Sequence, residues 1–464
     1  MKTRIHRPTR LISLCLFAAL CLVFATSAFA GGKALQPATS ARSGPLGMSV
    51  LPQHTVLKAT TGRDLNVVLR LQADNTAPGA RPPLDLAVVI DRSGSMSSGG
   101  KIQQVKQAAL NLIDRLGRDD RVTLVSYDHI VTVHGRGLPP WGKGRDRLRH
   151  AILGMQPGGM TALGPALVKA IDALRQGQRG TGELQHVLLL SDGLANTGES
   201  RPPVIAARAA EAWRHGISVS TLGVGLDYNE DLMTRVADHG GGRYHFIKEA
   251  REVSSVLADE LDGLSATVAR GVEIAIRPGR NTRVVQVFGY PFEVRNDVAI
   301  IPVGSLRSGQ SRDIVVRLAV EPGAGDNFEV AAFMTRFRAV AEDGKTHVID
   351  APLTVALSDD DNAVRASEDT EVTVRVADVE SATSLEEAAR DAEAGDFDQA
   401  RVKIRGSIDD LRAQQRKTPS PRLEKKIKAM EEAEAGISAA RGSASGRKSY
   451  IKAQKAQAYS DQKL

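Results

Sequence analysis

Residues 84–96 read LDLAVVIDRSGSM, and this stretch decides the fold. Residues 84–90 form an apolar run without strict polar alternation, the pattern of a strand buried on both faces. The run ends at Asp91, and Arg92-Ser93-Gly94-Ser95 follows as a turn. Residues 101–116 then place Ile102, Val105, Ala109, Leu112 and Leu116 on one helical face. The alternation continues downstream. Short apolar runs at 122–127, 187–190, 217–224 and 243–246 are separated by helical patterns. Those patterns fall at 163–174, 203–215, 231–238 and 253–264. Strands alternating with amphipathic helices predict an α/β fold over residues 84–265. It is a doubly wound, Rossmann-like domain with a mainly parallel sheet.

Beyond this domain the signals change. Residues 266–358 carry apolar runs at 268–276, 283–288, 299–303, 313–320, 328–340 and 348–357. Turn pairs such as Pro278-Gly279, Pro322-Gly323 and Asp343-Gly344 separate them, which predicts an all-β, sandwich-like domain. Upstream, residues 31–46 are rich in small residues and read as a linker. Residues 47–83 hold an apolar stretch around Val50 and Val56. They also hold a strict alternation at Leu65, Val67, Leu69 and Leu71. These strands have no place in a doubly wound domain. They are expected to complete the sandwich, which makes the α/β domain an insertion. Residues 359–383 are acidic and polar and read as a linker. Residues 384–443 have helical spacing broken at Gly395-Asp396-Phe397. With Ala388, Ala392 and Ala400, this break resembles one tetratricopeptide helix hairpin. A single copy lacks stacked neighbours, so a plain charged helical hairpin is the favoured reading. Residues 441–464 carry six Lys/Arg against one Asp, and 444–464 read as a basic disordered tail.

The chain has 464 residues, a formal net charge of +7 and two cysteines. At 25% charged and 42% hydrophobic residues it is a globular composition, which excludes wholesale disorder. Residues 1–30 change how the charge is read. Lys2, Arg4, Arg7 and Arg10 precede a short apolar run, and Ala28-Phe29-Ala30 follows it. That is the layout of a secretory signal peptide. Cleavage after Ala30 removes four of the seven net charges and both Cys15 and Cys21. The mature chain then has no disulfide and no apolar run of the roughly 20 residues that span a membrane. The expected destination is the periplasm, the cell surface or the medium, away from nucleic acid and ATP.

The strand ends of a doubly wound sheet gather on one edge, where ligands bind. Asp91, Ser93 and Ser95 end the first strand, and Asp192 ends the strand at 187–190. Thr161 precedes a helix between them. Two carboxylates and three hydroxyls are hard oxygen donors, suited to Mg²⁺ or Mn²⁺ and unsuited to softer metals. Ser93 and Ser95 are two apart, so both hydroxyls can turn to one point around Gly94. The neutral hydroxyls leave a divalent ion under-neutralised, able to attract a further carboxylate.

At these five positions the chain resembles the von Willebrand factor A family and its metal-ion-dependent adhesion site. The family pattern is D-x-S-x-S, a Thr before a helix and an Asp after a later strand. The resemblance covers about 180 residues, with Met160 standing where a small residue often sits. It implies a bound Mg²⁺ or Mn²⁺ and metal-dependent binding of a protein that presents an Asp or Glu carboxylate. It implies no catalytic residues.

Other motifs carry less. Gly137-x4-Gly142-Lys143 nearly matches a phosphate-binding loop, but Gly144 replaces the Ser or Thr that would hold Mg²⁺. Asp359-Asp360-Asp361 lacks the spaced ligands of a calcium loop. No H-E-x-x-H or G-x-S-x-G occurs, and no His is specifically placed to activate Ser93 or Ser95. The basic tail could touch anionic envelope components weakly. The expected function is thus non-enzymatic, metal-dependent binding or adhesion by an exported protein. The alternative is an envelope scaffold in which the metal is only stabilising.

Overall fold

The computed structural model describes residues 39–59, 61–75, 81–177 and 183–463. The expected signal peptide and the start of the linker at 31–46 lie outside them. Four strands come first: β1 (Thr39–Ser43), β2 (Leu46–Pro52), β3 (Val56–Leu57) and β4 (Arg63–Ala73). The α/β domain follows with β5 (Leu84–Asp91), α1 (Lys101–Arg115), β6 (Arg121–Tyr127), β7 (Val131–Leu138), α2 (Gly142–Gly154) and α3 (Leu163–Gln176). It continues with β8 (Leu184–Ser191), α4 (Pro202–Arg214), β9 (Ile217–Val224), α5 (Glu230–His239), β10 (Gly241–Ile247) and α6 (Val253–Ser265).

The six strands of this domain run in the order β10-β9-β8-β5-β6-β7. All neighbours are parallel except the edge pair β6–β7. Every residue of β5 is buried. Leu84, Leu86, Val88 and Ile90 pack on one face with α1 and α6, while Ala87 and Val89 pack on the other with α3, α4 and α5. Two covered faces explain why the strand shows no polar alternation.

The remaining strands are β11 (Thr267–Pro278), β12 (Thr282–Val287), β13 (Glu293–Arg295), β14 (Val298–Arg307), β15 (Ser311–Val320), β16 (Asn327–Ala339) and β17 (Lys345–Leu357). They form two sheets, ordered β1-β2-β4-β15-β12 and β13-β14-β11-β16-β17-β3. β4 pairs antiparallel with β15 over ten residues, from Gln72↔Ser311 to Arg63↔Val320. The two sheets share one core, to which Leu65, Val67, Leu69 and Leu71 contribute their inward side chains. The α/β domain is therefore inserted between sandwich strands. Strand formation begins earlier than the 31–46 linker reading allows. β1 lies within that range, and Leu46 is fully buried in the sandwich core.

The C-terminal part departs further from the sequence reading. Its helices are α7 (Asp361–Ala366), α8 (Thr370–Ala394), α9 (Phe397–Lys417), α10 (Pro421–Gly442) and α11 (Ala444–Gln462). The segment 359–383 is not a linker. Asp369 caps α8 by accepting from the Glu371 and Val372 amides. Val372, Val376 and Val379 then form a helical stripe over Val68, Phe288 and Val315 on the outer sandwich face. The expected hairpin over 384–443 is three helical stretches, belonging to α8, α9 and α10. Its turn is as expected: Gly395 takes a left-handed φ of 91°, and Asp396 caps α9. The segment 444–464 is not a disordered tail. Tyr450, Ile451 and Ala458 of α11 join the core shared by α8, α9 and α10. Its lysines reach acids elsewhere: Lys448 lies 2.7 Å from Asp227, and Lys455 lies 2.7 Å from Glu393 and 3.2 Å from Asp231. Pairing with acids across the fold lets so basic a segment pack. Among the described residues no helix is long and apolar enough to cross a membrane.

One buried histidine gives a pH-dependent expectation. His186 on β8 bonds Ser218 Oγ through Nδ1 at 2.6 Å. Burial lowers its pKa from 6.5 to about 4, against the opposing pull of Glu260. The unfolded chain therefore takes up a proton on this residue that the folded chain refuses between those values. Folding must lose stability from this group as pH falls through that window. At 1.36 kcal/mol per unit the loss reaches up to about 3 kcal/mol. Relative to the unaltered protein, His186→Gln should gain stability as pH falls from 6.5 to 4, read by denaturant unfolding. A pH-independent difference would contradict this.

Candidate metal centre

The carboxyl ends of β5 and β8 lie side by side, because these strands pair in parallel from Leu84↔Leu184 to Ile90↔Leu190. Asp91 and Asp192 therefore emerge at the same edge. Both are fully buried. Asp91 accepts from the Ser93 amide and from Ser191 Oγ, each at 2.8 Å. Burial raises its pKa to about 6, the hydrogen bonds from Ser93 and Ser191 oppose this, and the charge of Asp192 adds to it.

The loop after β5 turns back on itself and brings its hydroxyls together. Ser93 Oγ and Ser95 Oγ are 3.1 Å apart, and Ser95 Oγ donates to Asp192 Oδ1 at 2.6 Å. The loop carrying Thr161 is tied to this one by two backbone bonds. The Gly94 amide donates to Gly159 O at 3.0 Å, and the Gly158 amide donates to Arg92 O at 2.8 Å. Asn196 holds Thr161 from the other side by accepting from its amide at 2.8 Å. Gly193 shows where the hydroxyls converge. A β-carbon there would lie 3.2 Å from Ser95 Oγ, 3.3 Å from Thr161 Oγ1 and 3.8 Å from Ser93 Oγ. All five expected residues, Asp91, Ser93, Ser95, Thr161 and Asp192, are thus brought to one place.

The donor set fits a hard divalent cation. It is all oxygen, with two carboxylates and three hydroxyls. Among the described residues no group of three or more His, Cys, Asp or Glu is arranged to hold a metal. A centre here therefore depends on the hydroxyls.

One participant was not read from the sequence. Lys101, the first residue of α1, places Nζ 2.7 Å from Asp192 Oδ2, with the lysine side chain only 14% exposed. Its stem is held against Gly225, where a β-carbon would meet Lys101 Cε at 3.3 Å. Gly225 has φ 82°, so the absent side chain serves both the turn and this contact. Lys101 supplies the positive charge facing the second carboxylate.

Exposed apolar side chains stand on the loops around this centre, beside His129 and the Arg92–Asp128 pair. Met160 precedes Thr161, Leu194 follows Asp192 by two, and each is more than half exposed. Ile130 joins them: its amide donates to Asp128 Oδ1 at 2.6 Å, while Asp128 O accepts from the Ala162 amide at 2.7 Å. Three large apolar groups around a polar centre mark a surface suited to docking.

Residues 85–259 match the von Willebrand factor type A domain family. The chain is 25% identical to Synechocystis sp. protein sll0103 over 311 residues, 64% of this chain and 71% of that one. It is 30% identical to Escherichia coli YfbK over 197 residues, 42% of this chain and 34% of that protein. It is 29% identical to the mouse inter-alpha-trypsin inhibitor heavy chain H2 over 210 residues, 44% of this chain and 22% of that protein. The match thus spans about a third or less of the last two relatives. A von Willebrand factor type A structure from Catenulispora acidiphila superposes with a TM-score of 0.69 at 18% identity, covering 89% of this chain and 96% of that one. VWA2 from Sulfolobus acidocaldarius, an ArnB paralog, superposes with a TM-score of 0.59 at 14% identity, covering 90% and 99%. The α/β domain is a von Willebrand factor type A domain, a module that commonly mediates protein–protein interaction, and the shared fold extends over most of the chain.

Proposed function

We propose that this von Willebrand factor type A domain makes the chain an exported, non-enzymatic binding protein that grips its partner through a divalent cation. Asp91, Ser93, Ser95, Thr161 and Asp192 would hold Mg²⁺ or Mn²⁺. When bound, the ion supplies positive charge that draws an Asp or Glu carboxylate from a protein partner. The observation that carries this reading is the convergence of three hydroxyls at Gly193 beside two buried carboxylates. Met160, Leu194 and Ile130 would exclude water around that contact, which strengthens the electrostatic attraction inside it. The two serine hydroxyls engage each other and Asp192, which supports their turning towards one common point.

Affinity capture from envelope extract on the immobilised full chain tests the reading. A partner retained with Mg²⁺ should be released by chelator and absent with Asp192→Ala. Capture that survives both changes would instead favour the scaffold alternative.

Lys101 adds an expectation about affinity. Its ammonium and a divalent cation draw on the same carboxylate, so removing it should favour the ion. Lys101→Met should bind Mg²⁺ roughly tenfold more tightly, a difference of about 1.4 kcal/mol. It should also unfold earlier without Mg²⁺, because Asp192 is left as an uncompensated buried charge. Calorimetric titration and thermal unfolding with and without Mg²⁺ check both. Weaker Mg²⁺ binding by the variant would show instead that Lys101 supports the ion.

A further inference from the structure

A second polar cavity lies far from the strand edge just described, where the inserted domain, the sandwich and the end of α11 meet. Its volume is about 90 Å³. Four cations line it, Arg243, Arg307, Arg312 and Lys463, against two carboxylates, Glu260 and Asp238. Both carboxylates are already engaged. Glu260 accepts from Ser220 Oγ at 2.5 Å and is bonded by His245 Nε2 at 3.0 Å. Arg243 stands 3.7 Å from it, at the half-exposed mouth. Asp238 accepts from Tyr459 Oη and pairs with Lys463, each at 3.0 Å.

Arg307 and Arg312 have no such partner. Among the described residues neither has a carboxylate within ion-pair distance. Arg312 spends Nη1 and Nη2 on the Val303 and Ser305 carbonyls, at 2.7 and 3.3 Å, and its buried Nε bonds nothing. Two groups on other lining residues also lack a hydrogen-bond partner: the Tyr290 hydroxyl and His186 Nε2, the latter 3.7 Å from Glu260 Oε1. A buried donor without a partner costs about 1–3 kcal/mol, so a group of them in one cavity points to a missing acceptor. Arg307 is held below its ordinary pKa by burial and then by Arg243 and Arg312, with Glu260 only partly opposing.

We propose that this cavity binds a small tetrahedral oxyanion, phosphate or the phosphate of a small monoester, between Arg307, Arg312 and Tyr290. Guanidinium forks and a phenol hydroxyl match its acceptor oxygens. A net excess of two positive lining charges favours an anion, and the volume admits one such group. Arg307, Arg312 and Tyr290 belong to the sandwich, whereas His186 and Arg243 belong to the inserted domain. The bound anion would tie the two together.

The test uses the full chain, inorganic phosphate and glycerol phosphate, with chloride at matched ionic strength as control. Phosphate or the monoester should raise the thermal unfolding midpoint saturably, as expected for a ligand of the native state. Response to phosphate alone identifies the free ion, and response to glycerol phosphate identifies a monoester. Arg307→Met should weaken binding at least tenfold while leaving Mg²⁺ affinity unchanged. Tyr290→Phe, which removes only the hydroxyl, should weaken it several-fold and serves if the arginine variant does not fold. A chloride effect equal to that of both oxyanions, or full phosphate response in Arg307→Met or in Tyr290→Phe, would overturn the proposal.

Discussion

Asp91→Ala is expected to abolish divalent-metal binding and to destabilise the fold by about 2–4 kcal/mol. The two effects have separate causes. Asp91 is fully buried and satisfies the Ser93 amide and Ser191 Oγ. Removing it takes away the Ser93 amide's side-chain acceptor and leaves Ser191 Oγ only the Gly193 carbonyl at 3.4 Å, at up to about 1–3 kcal/mol each, with partial relief from relaxation. The loss of affinity follows from removing one of the five proposed ligands. Changing an outer-shell partner of a metal ligand costs about 10–100-fold, so loss of the ligand itself should cost at least about 100-fold. Asp91→Asn separates the two, because an amide oxygen can still accept one of the bonds. It should recover much of the stability and little of the metal affinity. Denaturant unfolding without metal and calorimetric titration with Mg²⁺ read the two quantities independently.

Ile451→Ala is expected to cost about 2–3 kcal/mol, although it lies in a segment whose composition suggests a tail. Ile451 is only 6% exposed and sits in the core of α8 to α11. Truncating a buried isoleucine costs about 2–5 kcal/mol through lost transfer energy and the cavity left behind. Val402 on α9 is 62% exposed and serves as the control. Val402→Ala should change stability by no more than about 0.5 kcal/mol. A disordered tail would give equal, negligible effects at both positions.

The parts of the fold that could be read from sequence are those whose signal is local. The apolar run of β5 carries its own explanation, since each face meets a separate helical layer. The alternation at Leu65, Val67, Leu69 and Leu71 likewise pointed to a half-buried strand, and those four side chains enter the sandwich core. The five oxygen donors were legible because a parallel sheet delivers the carboxyl ends of its strands, and the loops that follow them, to one edge.

What escaped depended on partners distant in sequence. Lys101 reads as an ordinary helix residue, and nothing local joins it to Asp192, 91 positions later. The lysines of α11 read as solvated charge until Asp227, Asp231 and Glu393 are placed beside them. The acidic segment 359–383 hid a valine stripe on α8 that becomes meaningful only when the outer face of β4 and β15 is known to need cover. Arg307, Arg312 and Tyr290 come from three segments, and only the folded sandwich brings them to one cavity.

The central claim is that Asp91, Ser93, Ser95, Thr161 and Asp192 form one metal site. Calorimetric titration of Mg²⁺, and separately Mn²⁺, into the metal-stripped full chain tests it most directly. The account predicts saturable binding of one ion per chain, lost in both Asp91→Asn and Ser95→Ala. Absence of binding in the unaltered protein, or undiminished binding in both variants, would contradict it.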